Sequence, residues 1–235
     1  MMLQLHRCRR LLVGVTVVFL AGRAVLAQQP APAEGRRAEV IRALTSIRSL
    51  FGDTISTPAR EAVASLLALA AQPIAGRGGE VAIPLPTVRS FQQDEAALRS
   101  RNDPQVKAPD VTRAVETDLT TKDAAYKNSP MGLATLITVD VRTVLSTGTE
   151  TNGWQVLDLP TPLAMYSRAP GDTFGPFSSP TSRLLPPGPY VIWAVNPADL
   201  TVRSSVKPVI LGTVAGGAVS LMPVSVDVLV PKSLR

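Results

Sequence analysis

The stretch LATLITVDVRTVL, residues 133–145, decides the reading of the C-terminal half. Ile137, Val139, Val141, Thr143 and Leu145 alternate with Thr138, Asp140 and Arg142. A period of two sends alternate side chains to opposite faces, so the stretch reads as a strand buried on one side. The same kind of pattern recurs downstream. Thr151-Asn152-Gly153 contains Asn-Gly, a hairpin-turn signal. Trp154 to Leu159 reads as the next strand, Leu163 to Ser167 as another, and Pro170-Gly171-Asp172 as a turn. Thr181 to Leu185 runs into Pro186-Pro187-Gly188. Tyr190 to Val195 is apolar on both faces, as a central strand should be. Leu200 to Leu211, Ala218 to Met222 and Val224 to Val230 complete the series. Short strands punctuated this regularly over residues 131–235 predict a β-sandwich domain.

Upstream of Met131 the period changes. Val40, Ile41, Leu44, Ile47, Leu50 and Phe51 mark one face of a helix, which Gly52-Asp53 ends. Thr57-Pro58 gives an N-cap and a proline suited to a first helical turn. Val63, Leu66, Leu67, Leu69 and Ala70 follow, and Pro73 stops the run. Residues 36–72 therefore read as a helical hairpin. Residues 73–130 read as a polar, partly disordered connector. Within it, Val81 to Leu85 suggests a short strand, and Gln92 to Arg101 and Val111 to Asp118 suggest short helices. The fold class expected is α+β: an N-terminal helical segment followed by a C-terminal antiparallel β-sandwich of about seven strands.

The first residues carry the three-part layout of a secretory signal. Arg7, Arg9 and Arg10 precede the apolar run Leu11 to Ala21, and Val25-Leu26-Ala27 offers a cleavage site. The apolar run falls short of the ~20 residues of a spanning helix. The expectation is a signal peptide over 1–27, a flexible linker over 28–35, no membrane span after cleavage, and a periplasmic or extracellular destination.

Cleavage would change the chemistry available. The full chain has 24 basic and 18 acidic side chains and a net charge of +6. Loss of Arg7, Arg9, Arg10 and Arg23 leaves 20 against 18, a net charge of +2, without the electrostatic footprint of a nucleic-acid binder. His6 and Cys8 are the only histidine and cysteine, and both would leave with the signal. A mature chain without them has no disulfide, no imidazole or thiolate metal site, and no Ser-His or Cys-His catalysis. Carboxylate pairs, Ser-Lys, Tyr or oxygen-ligated metals would remain. No cofactor or metal is expected.

The run Leu184-Leu185-Pro186-Pro187-Gly188-Pro189-Tyr190-Val191 resembles the L-P-P-G-x-Y signature of carboxypeptidase-regulatory-like domains, which are transthyretin-like sandwiches. Asp172-Thr173-Phe174-Gly175-Pro176-Phe177 approximates the turn that often precedes it in that family. The Thr-Asp pair usual before that turn is missing, and a Ser/Pro stretch fills the gap to the Pro-Pro-Gly. The resemblance covers about residues 131–230 and implies an accessory module for folding, adhesion or attachment, with no catalytic residues.

Each candidate site has a plain structural alternative. Ser204-Ser205-Val206-Lys207 matches S-x-x-K, but it lies in a strand pattern and lacks the partner motifs of that chemistry. Asp94-Glu95 and Glu116-x-Asp118 offer carboxylate pairs for glycoside hydrolysis or Ca²⁺, though acids so spaced usually line a solvated helix face. Gly212 to Gly217 lacks the lysine and the helix of a phosphate loop. Tyr190 and Trp193 read as core. Trp154, beside the Asn-Gly turn, with Tyr166, is the candidate ligand-binding pair, its flat rings able to stack on sugars. The functional expectation is an exported non-catalytic module that binds an envelope protein or a glycan. A carbohydrate-binding module and a carboxylate-based hydrolase are the alternatives.

Overall fold

A computed structural model describes residues 33–76, 79–164, 177–212, 214–215, 218–219 and 222–232. The expected signal peptide, most of the linker and Tyr166 lie outside the described residues. Among the described residues no helix is long and apolar enough to cross a membrane.

Helix α1 spans Ala33–Phe51 and α2 spans Thr57–Ala71, joined by a 3-10 turn at Gly52–Thr54. Val40, Leu44, Ile47 and Phe51 form the buried stripe of α1. Gly52 follows at φ +57°, the left-handed conformation that stops a helix. Ser56, rather than Thr57, is the N-cap of α2, with Pro58 just inside it. A two-stranded hairpin follows, β1 (Ile74–Gly76) with β2 (Gly79–Val81).

The stretch expected to be a polar, partly disordered connector is a second pair of helices, α3 (Leu85–Arg99) and α4 (Ala108–Lys127). Leu85, expected in a strand, starts α3. The physical reason lies in the stripes. On α3 the buried positions include Val88, Phe91, Asp94, Ala97 and Leu98; on α4 they include Val111, Val115, Asp118, Leu119, Lys122 and Tyr126. Spacings of three and four are present, but charged residues occupy three of the core positions, so the apolar periodicity is interrupted. The four helices share one apolar cluster that includes Leu44, Ile47, Leu66, Phe91, Leu98, Leu119 and Tyr126.

A 3-10 turn at Gly132–Ala134 leads into the sheets. Their strands are β3 (Ile137–Val144), β4 (Glu150–Thr151), β5 (Gln155–Pro160), β6 (Phe177–Ser178), β7 (Thr181–Leu185), β8 (Gly188–Asn196), β9 (Asp199–Arg203), β10 (Lys207–Leu211), β11 (Val214–Ala215), β12 (Ala218–Val219) and β13 (Val224–Leu229). A five-stranded sheet has the order β10-β8-β5-β6, with β9 also on β8. A four-stranded sheet has the order β13-β3-β4, with β7 also on β3. β11 and β12 pair with each other.

N-terminal helices and C-terminal, mainly antiparallel sheets are thus present. The sheets are open and mixed, however, because β13 runs parallel to β3 from Val224↔Val139 to Leu229↔Val144. Alternation of apolar residues fixes which face is buried but carries no strand direction. Ile137, Val139 and Val141 from one sheet and Val156, Tyr190, Ile192 and Ala194 from the other share a single apolar cluster.

Two local readings change. The β3–β4 hairpin turns at Gly148, φ +81°, whose N–H donates to the Leu145 carbonyl at 2.9 Å. Asn152-Gly153 instead carries the chain from β4 into β5, which belongs to the other sheet. Leu163, expected in a strand, lies in the short helix α5 (Thr161–Ala164). Pro186-Pro187 likewise joins β7 of one sheet to β8 of the other.

Candidate functional site: a buried Asp-Lys-Asp cluster

The charges that interrupt the two helical stripes meet. α3 carries Asp94 one turn beyond Ser90 and Phe91. α4 carries Asp118 and Lys122 four residues apart, on the same face. Relative exposures are 0% for Asp94, 1% for Asp118 and 1% for Lys122. Lys122 Nζ donates to Asp94 Oδ2 at 2.5 Å, to Asp118 Oδ2 at 2.9 Å and to the Ser90 carbonyl at 3.5 Å. The three protons of the ammonium are thereby used. Nζ also lies 5.0 Å from the centre of the Phe91 ring. Oδ1 of each aspartate receives no donor.

The surroundings are sealed and aromatic. Tyr126 and Tyr190 are buried, at 0% and 1% exposure. The cluster touches the sheets at the start of β8. A Cβ placed on Gly188 would lie 2.5 Å from Asp118 Oδ1 and 3.8 Å from Lys122 Cε. The missing side chain of Gly188 is therefore what admits the Asp118 carboxylate.

The electrostatics follow from burial. Desolvation, and then the negative charge of Asp118, hold the Asp94 carboxyl well above the usual carboxylate range. Desolvation pulls Lys122 down, but the two carboxylates outweigh it and its ammonium is held above the ordinary lysine value. Burial, then Asp118, raises the Tyr190 phenol, and burial raises that of Tyr126. An ammonium between two carboxyl groups makes an electrically neutral group when one of the two carries a proton, which lowers the cost of burying it.

A second ion pair joins the two sheets, between half-buried Arg183 of β7 and buried Asp158 of β5. The Arg183 guanidinium stacks 3.8 Å from the centre of the Phe177 ring, and burial lowers its pKa to about 10.

The residues singled out in the sequence fall as follows. Asp94 and Asp118 are not on a solvated helix face, and they come together. Glu95 is drawn off by Ser46 and Arg99, at 2.7 and 2.6 Å. Glu116 accepts the Ser56 N–H at 2.7 Å and so caps α2 from α4. Trp154 is buried at 7% and belongs to the sheet core, so it offers no stacking face; the inter-sheet passage at Asn152-Gly153 turns it inward. Tyr190 is core and Trp193 is half-buried. Ser204 accepts the Ala194 N–H at 2.8 Å and donates to its neighbour's carbonyl, with no lysine partner. Gly212 packs against Ala125 and Pro187. Among the described residues no group of three or more acidic, His or Cys side chains could hold a metal. Lys122 was missed by the sequence reading. The available signal was a lysine at the spacing of a core stripe, between Leu119 and Tyr126.

One open cleft of about 590 Å³ lies on the helical hairpin, lined by Thr45, Arg48, Ser49, Asp53 and Arg60 among others. In comparisons with protein-family models, curated proteins and solved structures, the chain matches none.

Proposed function

We propose that the protein is an exported, non-catalytic module that presents its sheets as a binding or assembly surface. The observation that carries this reading is the outer edge of the five-stranded sheet. β9 and β10 succeed one another along the same side of β8, and no described strand pairs with their far side. Leu200, Val206 and Ile210 along this edge are 60%, 59% and 54% exposed. Single exposed apolar residues are ordinary, but three of them spread along one unpaired edge and its connecting loop favour contact with a partner. Lys207 and Pro208 sit on the same edge, where a charge and a missing N–H discourage open-ended strand addition. The edge therefore suits a specific partner that engages its side chains.

Other parts of the reading rest on sequence. Export rests on the basic, apolar and small-residue order of residues 1–27. A sandwich of the carboxypeptidase-regulatory-like kind rests on the Leu-Pro-Pro-Gly-x-Tyr run at the β7–β8 passage. The carbohydrate alternative loses its main support with the burial of Trp154. The hydrolase alternative loses its support because Asp94 and Asp118 are closed to substrate.

Capture on immobilised protein tests the proposal. Detergent extract of the source cell envelope, with its glycans, is passed over the wild-type chain and over a Val206→Asp/Ile210→Asp variant. The expected result is one envelope protein held by the wild type and lost from an equally stable variant. Equal retention by both removes the edge from the reading, and retained glycan without protein restores the carbohydrate alternative.

A further inference from the structure

We infer that Lys122 and Asp94 are the precursors of an intramolecular amide bond that ties α4 to α3, with Asp118 as the group that moves the protons. This inference stands independently of the proposed function.

The geometry places a nucleophile, an acyl group and a proton carrier in one dry space. Lys122 Nζ lies 2.5 Å from an oxygen of the Asp94 carboxyl, and Asp118 Oδ2 lies 2.9 Å from the same nitrogen. All three side chains are at most 1% exposed. In water an amine and a carboxylic acid persist as a solvated ion pair, which does not condense. Here solvation is absent, and with one proton on Asp94 the trio can be written without charges. If the ammonium passes one proton to Asp118, the result is a free amine and two carboxylic acids. Desolvation brings that form closer in energy to the resting ion pair than it is in water.

The step then balances. The Nζ lone pair attacks Asp94 Cγ and an N–C bond forms. The Cγ–OH bond breaks, the hydroxyl takes a proton from Asp118, and the nitrogen returns one to Asp118. One amide and one water result, and no oxidant, reductant or activating group is required.

The other ion pairs among the described residues lack this combination. Lys127 and Asp123 are 3.3 Å apart, but the lysine is 58% exposed and remains solvated. In the Arg183–Asp158 pair the nitrogen belongs to a guanidinium, which is not a nucleophile. Asp118 is farther from Nζ than Asp94 and is pressed against Gly188. The chain's single cysteine also means that it has no internal disulfide to tie its helices.

Mass spectrometry of the purified chain in denaturant is the test, since an ion pair dissociates on unfolding and an amide does not. The expected mass is about 18 Da below that of the sequence, one water. Trypsin should then give a branched peptide joining residues 90–99 to residues 114–127, uncut after Lys122. Asp94→Asn should lose ammonia instead, about 17 Da below its own sequence mass. Lys122→Arg should show the full mass, and Asp118→Asn should leave the link unformed or far slower. Full mass and separate peptides from the wild type overturn the proposal. A water loss confined to residues 114–127 assigns the bond to Asp118 and overturns it equally.

Discussion

At Gly188 a backbone and a carboxylate compete for one volume. Its φ of +145° is a conformation that side chains rarely adopt, and the place of its Cβ is held by Asp118 Oδ1. Gly188→Ala should therefore destabilise the protein by about 2–4 kcal/mol, through backbone strain and displacement of the buried carboxylate. Urea unfolding of the variant beside the wild type measures this, and a loss under half a kcal/mol would show that the Asp118 contact gives way freely. Pro186-Pro187-Gly188 was legible as a turn from its residues alone. That a carboxylate seventy positions upstream fills the space over the glycine was not, because nothing local to either residue encodes the approach. Trp154 illustrates the same limit. Asn152-Gly153 announces a change of direction, but whether the following ring faces solvent depends on which sheet the next strand joins.

The two helices of the middle region show how an element escapes a reading by hydropathy. Val88, Phe91 and Leu98, and Val111, Val115 and Leu119, keep helical spacing. Asp94, Asp118 and Lys122 occupy the intervening core positions, and charges there read as surface. α1 and α2, whose stripes are purely apolar, were legible nearly to their ends. The strands were legible as elements too, with Thr181 to Leu185 matching β7, whereas their partners were not. α4 also serves α2: the Glu116 carboxylate accepts the Ser56 N–H at a helix start that has no side-chain cap of its own. Glu116→Ala should cost about 1 kcal/mol, since it removes both the acceptor and a negative charge from that end of the helix dipole. The corresponding fall in the thermal midpoint is about 2–4 °C for a protein of this size. Glu116→Gln, which keeps an acceptor oxygen, should recover part of it.

Across the whole molecule, a helical core and a sheet core are fastened together by polar groups sealed between them. Heat should therefore unfold both layers in one transition, seen alike by circular dichroism at helical and by fluorescence at tryptophan wavelengths; two separated transitions would show that the Asp118–Gly188 contact does not couple them. Alkaline pH reports on the same junction. Burial raises the phenols of Tyr126 and Tyr190 above their unfolded value of about 10. The stability they contribute is complete below that value. It is lost as the pH rises beyond it, because the unfolded chain releases those protons first. In a titration followed at tyrosinate absorbance, these two of the three tyrosines should stay silent until the protein unfolds, and a smooth rise from all three in folded protein would contradict their burial. The pairing of β13 with β3 bears on how the molecule is made. β3 lies near the middle of the chain and β13 near its end, and a parallel pair between them can form only after residues 224–229 have been synthesised. Until then a growing chain carries a half-built sheet, with one side of β3 unsatisfied and Val139 and Val141 short of their neighbours. Its helices can settle early, but the sheet waits for residues 224–229, and until they emerge that side of β3 stays open to other strands.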